Sequence, residues 1–309
     1  AFLFYTNMNN EYYYKLRGSV KGFLKEEEKI QAASGRGGKV AFLLSSGRVL
    51  LFNSQIELEY RVEGKPNESR HAHNLVYTSD GVFIVNYGGT LTITLDFKDM
   101  IIIPDVVCVQ AGVERKISEG IDILYATEQK RVVAAKFYGA NRYKIIWTKN
   151  ALERIVSLCV SEEFVALIMT NTYDLYELRT GKHKSEFYQF IRPSERTNVG
   201  FTSYEQGKFA AIISPYIWKG ETLVLIFDNR PVSYSYWAVM SFAGWVILSR
   251  TNNVYAYSPR GTKVSTEPVP APILFSFILD SESLGYVSDE NEIYVIKFVD
   301  LVSQQTMAA

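Results

Sequence analysis

The sequence predicts an all-β fold, and three observations support that prediction. A unit of two short apolar runs, each followed by a polar turn, recurs about eight times along the 309 residues, roughly every 40 residues. The runs are about four to eight residues long and rich in β-branched and aromatic residues, which is typical of strands. Even strand spacing at this period indicates a β-propeller, in which small sheets called blades are arranged in a ring.

The repeat is clearest when the last apolar residue of the second strand in each copy is taken as a marker. Successive markers are 30 to 49 residues apart, about 40 on average. They are Leu16, Phe52, Leu95, Phe137, Leu178, Phe227, Tyr257 and Phe298. The first and last copies also match in detail, because Glu11–Leu16 and Ile293–Phe298 both have Tyr in second place and Lys before the closing apolar residue.

A third and a fourth strand complete each unit. One extended segment follows the marker, as in 142–148, and another precedes the hairpin, as in 154–160. The nearly continuous apolar runs 40–44 and 209–213 are typical of strands buried on both faces, whereas the alternation in 56–62 is typical of a half-exposed strand. We therefore expect blades of four antiparallel strands.

Glycines mark several turns between these strands. Ser46-Gly47, Asp80-Gly81 and Gly88-Gly89 are typical tight-turn pairs, because Gly reaches positive φ without a Cβ clash. Ser34–Lys39 is also interpreted as a turn between strands, since it lacks the spacing and the Ser or Thr of a phosphate-binding loop. The strongest helix candidate, Glu26–Ala33, is interpreted as a strand or loop.

The eight markers favour eight blades, in a single domain that spans residues 1–309. Seven blades are the alternative, because eight full blades at this period need about 320 residues and the first copy lacks a clear innermost strand. In the seven-bladed arrangement the N-terminal strands complete the last blade.

The bulk composition narrows the classes of function. Lys and Arg together number 33, as do Asp and Glu, so no overall charge attracts the chain to nucleic acid or to acidic membranes. No uninterrupted apolar stretch approaches 18 residues, and no transmembrane helix is expected. We expect a soluble intracellular protein, with an extracellular or particle-associated location as the alternative. Cys108 and Cys159 lie in apolar runs and are expected to be buried free thiols.

The closing turns of three units resemble those of the broad propeller group that includes WD-repeat and quinoprotein-like proteins. These turns are Asp174–Lys182, Phe227–Arg230 and Tyr257–Lys263. No Trp-Asp dipeptide and no Gly-His pair occurs in the chain, so the resemblance is to the group in pattern and not to an ordinary WD-repeat protein. The resemblance implies a role as an interaction platform.

Motifs for catalysis or cofactor binding are sparse. The only histidines are His71, His73 and His183, and no Gly-x-Ser-x-Gly elbow accompanies them. Two alternating histidines do not complete a metal site, and the acidic turn Asp289–Glu292 has no counterpart in the other copies. We expect no catalytic residue, no metal and no cofactor. A central-channel hydrolase with carboxylates from distant blades is the less favoured alternative.

Two segments are predicted to bind a partner. Basic and aromatic residues are interleaved between 179 and 196, and such surfaces bind phosphorylated or nucleic-acid partners. The segment Pro215–Glu221 is interpreted as a lengthened hairpin turn that carries aromatic anchors of the kind that dominate interfaces. The predicted contact residues are Tyr216, Trp218, Lys182, Lys184, Tyr188, Arg192 and Arg196.

The sequence therefore predicts a non-catalytic propeller that binds another protein through its face loops, as a subunit of a larger assembly. A nucleic-acid or phosphorylated partner, bound by residues 179–196, is one alternative. A glycan- or receptor-binding module that uses surface Tyr and Trp side chains is another.

Overall fold

A computed structural model of the chain describes residues 12–53, 57–62, 73–112, 116–140, 142–160, 164–169, 172–188, 199–205, 208–213, 216–220, 224–226, 238–242, 245–249, 251–258, 263–303 and 305–307. These residues form seven antiparallel sheets, numbered 1 to 7 here along the chain. The first strand, β1 (Lys15–Ser19), is an exception to chain order because it belongs to sheet 7.

Sheets 1 to 5 each contain four consecutive strands in chain order. Sheet 1 contains β2 (Ile30–Arg36), β3 (Lys39–Leu44), β4 (Arg48–Phe52) and β5 (Glu57–Arg61). Sheet 2 contains β6 (Asn74–Tyr77), β7 (Phe83–Tyr87), β8 (Thr90–Thr94) and β9 (Met100–Ile103). Sheet 3 contains β10 (Val106–Ala111), β11 (Ile121–Thr127), β12 (Arg131–Phe137) and β13 (Tyr143–Asn150).

The second half of the chain continues the pattern. Sheet 4 contains β14 (Ile155–Val160), β15 (Phe164–Met169), β16 (Thr172–Glu177) and β17 (His183–Tyr188). Sheet 5 contains β18 (Val199–Glu205), β19 (Lys208–Ile213), β20 (Tyr216–Gly220) and β21 (Val224–Ile226). Sheet 6 contains β22 (Ala238–Phe242), β23 (Trp245–Ser249), β24 (Asn253–Tyr257) and β25 (Lys263–Pro268), followed by β29 (Gln305–Met307). Sheet 7 contains β26 (Ile273–Ile278), β27 (Ser283–Ser288), β28 (Glu292–Lys297) and then β1.

Helical structure in the described residues is short. Two single 3-10 turns cover Lys21–Phe23 and Ile117–Glu119, and one α-helix, α1 (Phe298–Leu301), connects β28 to β29. None of these helices has the length and apolar character that crossing a membrane requires. The segment Glu26–Ala33 contains no helix, and its second half begins β2, as predicted.

The predicted four-stranded antiparallel units are confirmed. The third and fourth strands that the pattern placed at 142–148 and 154–160 are β13 and β14. In β3 every residue after Lys39 is buried, as expected for a strand covered on both faces. The predicted turn in Ser34–Lys39 joins β2 to β3, with Gly37 and Gly38 at positive φ.

The seven sheets contact one another through their first strands, called the innermost strands below. They are β2, β6, β10, β14, β18, β22 and β26, each in contact with the next, and β26 is also in contact with β2. Because neighbouring strands in each sheet are antiparallel, the turns and connections lie at two opposite ends of the sheets. One end, the first face, carries the connections between sheets and the turns between second and third strands. The other end, the second face, carries the remaining turns.

The core lies between neighbouring sheets. In the described residues, five clusters of buried apolar side chains each combine residues from two sheets that adjoin in this order. Val132, Ala134 and Trp147 of sheet 3, for example, pack with Leu158 and Leu167 of sheet 4. Sheets 1, 2, 3 and 7 are covered by such clusters on both faces, which explains the nearly continuous apolar sequence of a strand such as β3.

Sheets 1 and 7 meet although they are far apart in sequence. The rings of Phe277 in β26 and Phe42 in β3 lie 6.4 Å apart, edge to face. The backbone N–H of Gly38 donates to the carbonyl of Leu279 at 3.0 Å. Gly35 leaves room for this contact, because a Cβ there would overlap the carbonyl of Ile278 and lie 3.1 Å from the Phe277 ring.

The N-terminal strand has a different place from the one that the marker pattern favoured. Leu16 was counted as the marker of a separate first copy, but β1 pairs with β28, with Leu16 opposite Tyr294. The chain leaves β28 through α1, so the outermost position of sheet 7 is filled by β1. The predicted alternative had the N-terminal strands in the last unit, and β1 follows that alternative.

The segment between β1 and β2 is fixed by a buried arginine. Arg48 Nη1 lies 3.0 Å from Glu28 Oε2, and its Nε lies 3.0 Å from Glu59 Oε1. The hydroxyl of Ser46 also donates to Glu28. Burial opposes ionisation of Glu28, but the hydrogen bonds from the Ser46 hydroxyl and the Lys25 backbone N–H, together with the charge of Arg48, outweigh it, so the pKa of Glu28 lies below its usual range.

The two termini of the described chain meet at Glu267. This β25 side chain is only 2% exposed, and it accepts a hydrogen bond from the backbone N–H of Tyr13. Burial raises the pKa of Glu267, the Tyr13 hydrogen bond opposes that rise, and the nearby charge of Asp300 adds to it. The ionised carboxylate is therefore less favourable in the folded chain than in the unfolded chain.

Replacing Glu267 with Gln is expected to stabilise the chain at neutral pH. Because the folded pKa is raised, the stability of the wild type is greatest below the unfolded value of about 4.3 and falls as pH rises through the folded pKa. Gln keeps an acceptor for Tyr13 and cannot ionise. Urea unfolding from pH 4 to pH 8 measures this effect. Glu119→Gln, at an exposed position, should keep the wild-type profile. A Glu267→Gln profile parallel to wild type would contradict this assignment.

Candidate interaction surface

The structure places the predicted contact residues that it describes in two different sheets, sheet 4 and sheet 5. Lys182 is exposed in the turn between β16 and β17, on the second face. Lys184 and Tyr188 lie in β17, whereas Arg192 and Arg196 lie outside the described residues. Their roles in binding a partner remain predictions.

Tyr216 and Trp218 were predicted on a lengthened turn, and this placement is wrong. Both lie in β20, where Tyr216 pairs with Ile213 and Trp218 pairs with Ala211. The 49-residue step from Leu178 to Phe227 favoured an added turn, but the alternation of Tyr216 and Trp218 with other residues is typical of a strand. Tyr216 lies next to the hairpin turn on the first face, so it is not brought together with Lys182.

The turn that carries Lys182 packs against the neighbouring sheet. The backbone N–H of Glu177 donates to the Lys182 carbonyl at 2.8 Å, and Gly181 has a positive φ of 68°. A Cβ on Gly181 would lie 2.8 Å from the Trp147 ring and 3.3 Å from Lys149 Cε. The turn therefore adjoins β13, the outer strand of sheet 3.

β13 is anchored by Trp147. This side chain is buried, and its Nε1–H donates to the Leu178 carbonyl at 2.7 Å across the boundary between sheets 3 and 4. The pairing with β12 shifts at this point, because Ala134 lies opposite Trp147 while Ala135 lies opposite Ile145. Ile146 is thus the extra residue of a β-bulge, a feature that bends a strand and redirects its side chains.

Apolar and basic side chains are exposed side by side along β13. Ile145 is 52% exposed, Ile146 is also exposed, and Leu152 just after the strand is 85% exposed. Lys144 and Lys149 of β13 and Arg179 and Lys182 of the adjoining turn are exposed as well. We call these seven residues the β13 surface. Its positive charge is local, because the whole chain has no net charge.

The sequence predicted Lys182 as a contact and placed Arg179 in the basic segment, but it did not predict the other residues of this surface. Its signal is the adjacent pair Ile145-Ile146, which interrupts the alternation expected of an outer strand. A pair of that kind indicates either a strand buried on both sides or a bulge that exposes one residue. Only the pairing with β12 distinguishes the two cases.

Groups for acid–base chemistry are dispersed in the described residues. His73 stacks on Tyr87 with ring centroids 5.2 Å apart, and burial lowers the pKa of His73. His183 Nε2 lies 3.5 Å from Asp174 Oδ1 at the other end of the strands, in sheet 4. Within the described ranges, no three His, Cys, Asp or Glu side chains converge in a way that could hold a metal ion.

Cys108 is a buried free thiol, as predicted, and the side chain of Cys159 lies outside the description. Burial raises the pKa of Cys108 to about 12. A Cys159→Ser variant is therefore expected to react with a disulfide reagent at pH 8 only after unfolding, because the thiolate is the reacting form. Guanidinium-treated protein serves as the positive control. Rapid labelling of the folded variant would contradict the burial of Cys108.

Comparison with known proteins identifies the fold. No known family and no curated protein matches the sequence. Virginiamycin B lyase from Staphylococcus aureus is similar with a TM-score of 0.67 and 15% identity, over 92% of this chain and 99% of the lyase. The WD40 domain of Doa1 is similar with a TM-score of 0.65 and 13% identity, over 91% and 96% of the two chains. The Pan2 WD40 domain from Neurospora crassa has a TM-score of 0.61 and 10% identity, over 86% and 88%.

Identities this low show the fold alone. The chain belongs to the class of all-β repeat proteins built from four-stranded antiparallel sheets. More specifically, it is a β-propeller with WD40-type structural neighbours, which confirms the predicted group.

Proposed function

We propose that this chain is a non-catalytic propeller platform that binds a protein partner. The observation that carries the proposal is the β13 surface, where apolar side chains are exposed beside lysines and arginines at the rim. Exposed apolar groups within a polar surround are typical of protein interaction sites. The WD40-type neighbours agree with such a role.

Residues 1–309 are proposed to form one domain with seven blades. The contact of β26 with β2 supports a closed ring of the seven sheets, and the pairing of β1 with β28 supports closure by the N-terminal strand. A rigid closed ring presents loops on two faces and strand edges around the rim, and all three are available to a partner.

The composition of the innermost strands supports a non-catalytic role. A site in the central channel that is built on these strands would need acids or bases among their residues. The seven innermost strands contain a single acidic residue, Glu205, and no histidine. Their other polar residues are mostly Ser, Thr, Asn and Gln.

A lyase-like enzyme is the second candidate, because virginiamycin B lyase is a structural neighbour. That lyase was solved with quinupristin as a catalytically inactive variant in which alanine replaces a histidine. In this chain no histidine follows His183. We expect no cleavage of quinupristin after overnight incubation, as judged by mass spectrometry. A turnover product would favour the enzyme.

Capture from an extract of the native source tests the platform. We expect the immobilised chain to retain one protein in stoichiometric amount. A folded Tyr216→Ala/Trp218→Ala double variant tests the predicted contact residues in the same experiment. Equal capture by both forms would exclude Tyr216 and Trp218 from the contact and leave the β13 surface as the proposed site, and the absence of any retained protein would contradict the platform.

A further inference from the structure

Among the residues that the structure describes, the outer edge of sheet 3 is the longest strand edge on the rim. β13 has eight residues, whereas the described parts of the other outermost strands have three to six. It pairs with β12 on one side, and in the described part of the chain no strand pairs with its other side. Such an edge presents backbone N–H and C=O groups that can accept another strand.

The two sides of β13 differ in chemistry. Ile145 and Thr148 lie opposite Ala135 and Val133, and Val133 packs toward sheet 2. Lys149 lies opposite Val132, which packs toward sheet 4. On this side the turn at Gly181 approaches Lys149. One side of the edge therefore carries the uncharged side chains of Ile145 and Thr148, and the other side carries the basic side chain of Lys149.

We propose that β13 binds an extended segment of a partner protein in which aliphatic and acidic residues alternate. The segment adds to the edge as a further strand, a known mode of peptide recognition. Because side chains alternate between the faces of a strand, aliphatic residues meet Ile145 while acidic residues meet Lys149 and Lys182. This inference rests on the proposed platform function and names its contact surface and the chemistry of its partner.

Charge complementarity selects this occupant. Lys144, Lys149, Arg179 and Lys182 supply four positive charges, and no ion pair among the described residues neutralises them. A nucleic acid would match these charges but would leave Ile145 and the edge amides without partners. An acidic strand satisfies the charges, the apolar side chain and the backbone together.

The probe is a fluorescein-labelled peptide of about ten residues in which Val alternates with Glu, a length that spans a typical strand. Binding to the full chain is followed by fluorescence anisotropy. A peptide with Lys in place of Glu tests charge, and a peptide of the same composition with its Glu residues contiguous tests alternation. A polyuridine competitor tests the nucleic-acid alternative.

Two variants probe the edge, and one provides a matched control. Ile145→Ser removes the apolar contact, and Lys149→Glu reverses the charge beside it. Ile102→Ser is the control, because Ile102 is 56% exposed on β9, the outer strand of sheet 2. We expect the dissociation constant of the alternating peptide to rise about tenfold for each edge variant and to stay unchanged for the control. Lys149→Glu should instead favour the Lys peptide.

Several outcomes would overturn the proposal. The first is that the alternating peptide does not bind, and the second is that the contiguous peptide binds as tightly as the alternating one. The third is that Ile145→Ser and wild type bind the alternating peptide with equal affinity, and the fourth is that polyuridine displaces this peptide. Each outcome concerns β13 alone. A native partner that is still captured equally by wild type and Ile145→Ser would leave the platform intact, whereas a failure of capture by wild type would count against the platform.

Discussion

Replacing Arg48 with Met is expected to lower the free energy of unfolding by about 3–5 kcal/mol, the cost of leaving a buried charge without its partner. The side chains of Arg48 and Glu28 are only 5% and 6% exposed, and they face each other at 3.0 Å. Met fills a similar volume, so the loss reports the unpaired Glu28 carboxylate rather than a cavity. Urea denaturation at pH 7 measures the change.

Two further variants test whether the unpaired Glu28 carboxylate explains the effect of Arg48→Met. Arg61→Met, at an exposed position on the adjacent strand β5, should change stability little. The double variant Arg48→Met/Glu28→Gln should recover part of the loss, since no buried charge remains. If the single and double variants are equally destabilised, the loss of stability in Arg48→Met does not come from the unpaired Glu28 carboxylate.

The second large effect is expected at the boundary between sheets 1 and 7. Gly35→Ala introduces a Cβ that overlaps the carbonyl of Ile278 and crowds the ring of Phe277. Because the overlapping atom belongs to the backbone of β26, β2 and β26 must separate. Overpacking of this kind costs about 1–3 kcal/mol and sometimes more.

Gly18→Ala is the matched control for Gly35→Ala. Gly18 lies in β1, and a Cβ there would have no neighbour within 4 Å. We expect the control to unfold at the wild-type urea concentration or slightly above it. Equal unfolding midpoints for Gly35→Ala and Gly18→Ala would show that β2 and β26 are not in contact, and the ring would then not close between sheets 7 and 1.

Much of the fold could be predicted because it depends on local signals. Strand length, apolar runs and turn glycines act within a few residues, so the sequence predicted β13, β14 and the turn at Gly37-Gly38 correctly. The place of β1 could not be predicted in the same way. Its sequence fits the outer strand of either a separate first unit or the last unit, and the choice depends on β28, about 280 residues away.

The surface was less predictable than the fold. The sequence predicted a turn around Tyr216 and Trp218, yet the pairing of Ala211 with Trp218 places both residues in a strand. Exposure of Ile145 depends on the bulge in β13 and on Trp147 being held by the Leu178 carbonyl in the next sheet. The bulge depends on the pairing of β13 with β12, and the position of Trp147 depends on a hydrogen bond to another sheet. Local periodicity encodes neither interaction.

Backbone hydrogen–deuterium exchange, measured for the chain alone and with its captured partner, tests the platform most directly. Exchange slows where a partner covers or pairs with backbone amides. We expect slower exchange on a face or at the rim, with the largest change in 144–150 of β13, and unchanged exchange in the innermost strands. Slower exchange confined to the innermost strands would indicate a ligand in the central channel and would contradict a rim-binding platform.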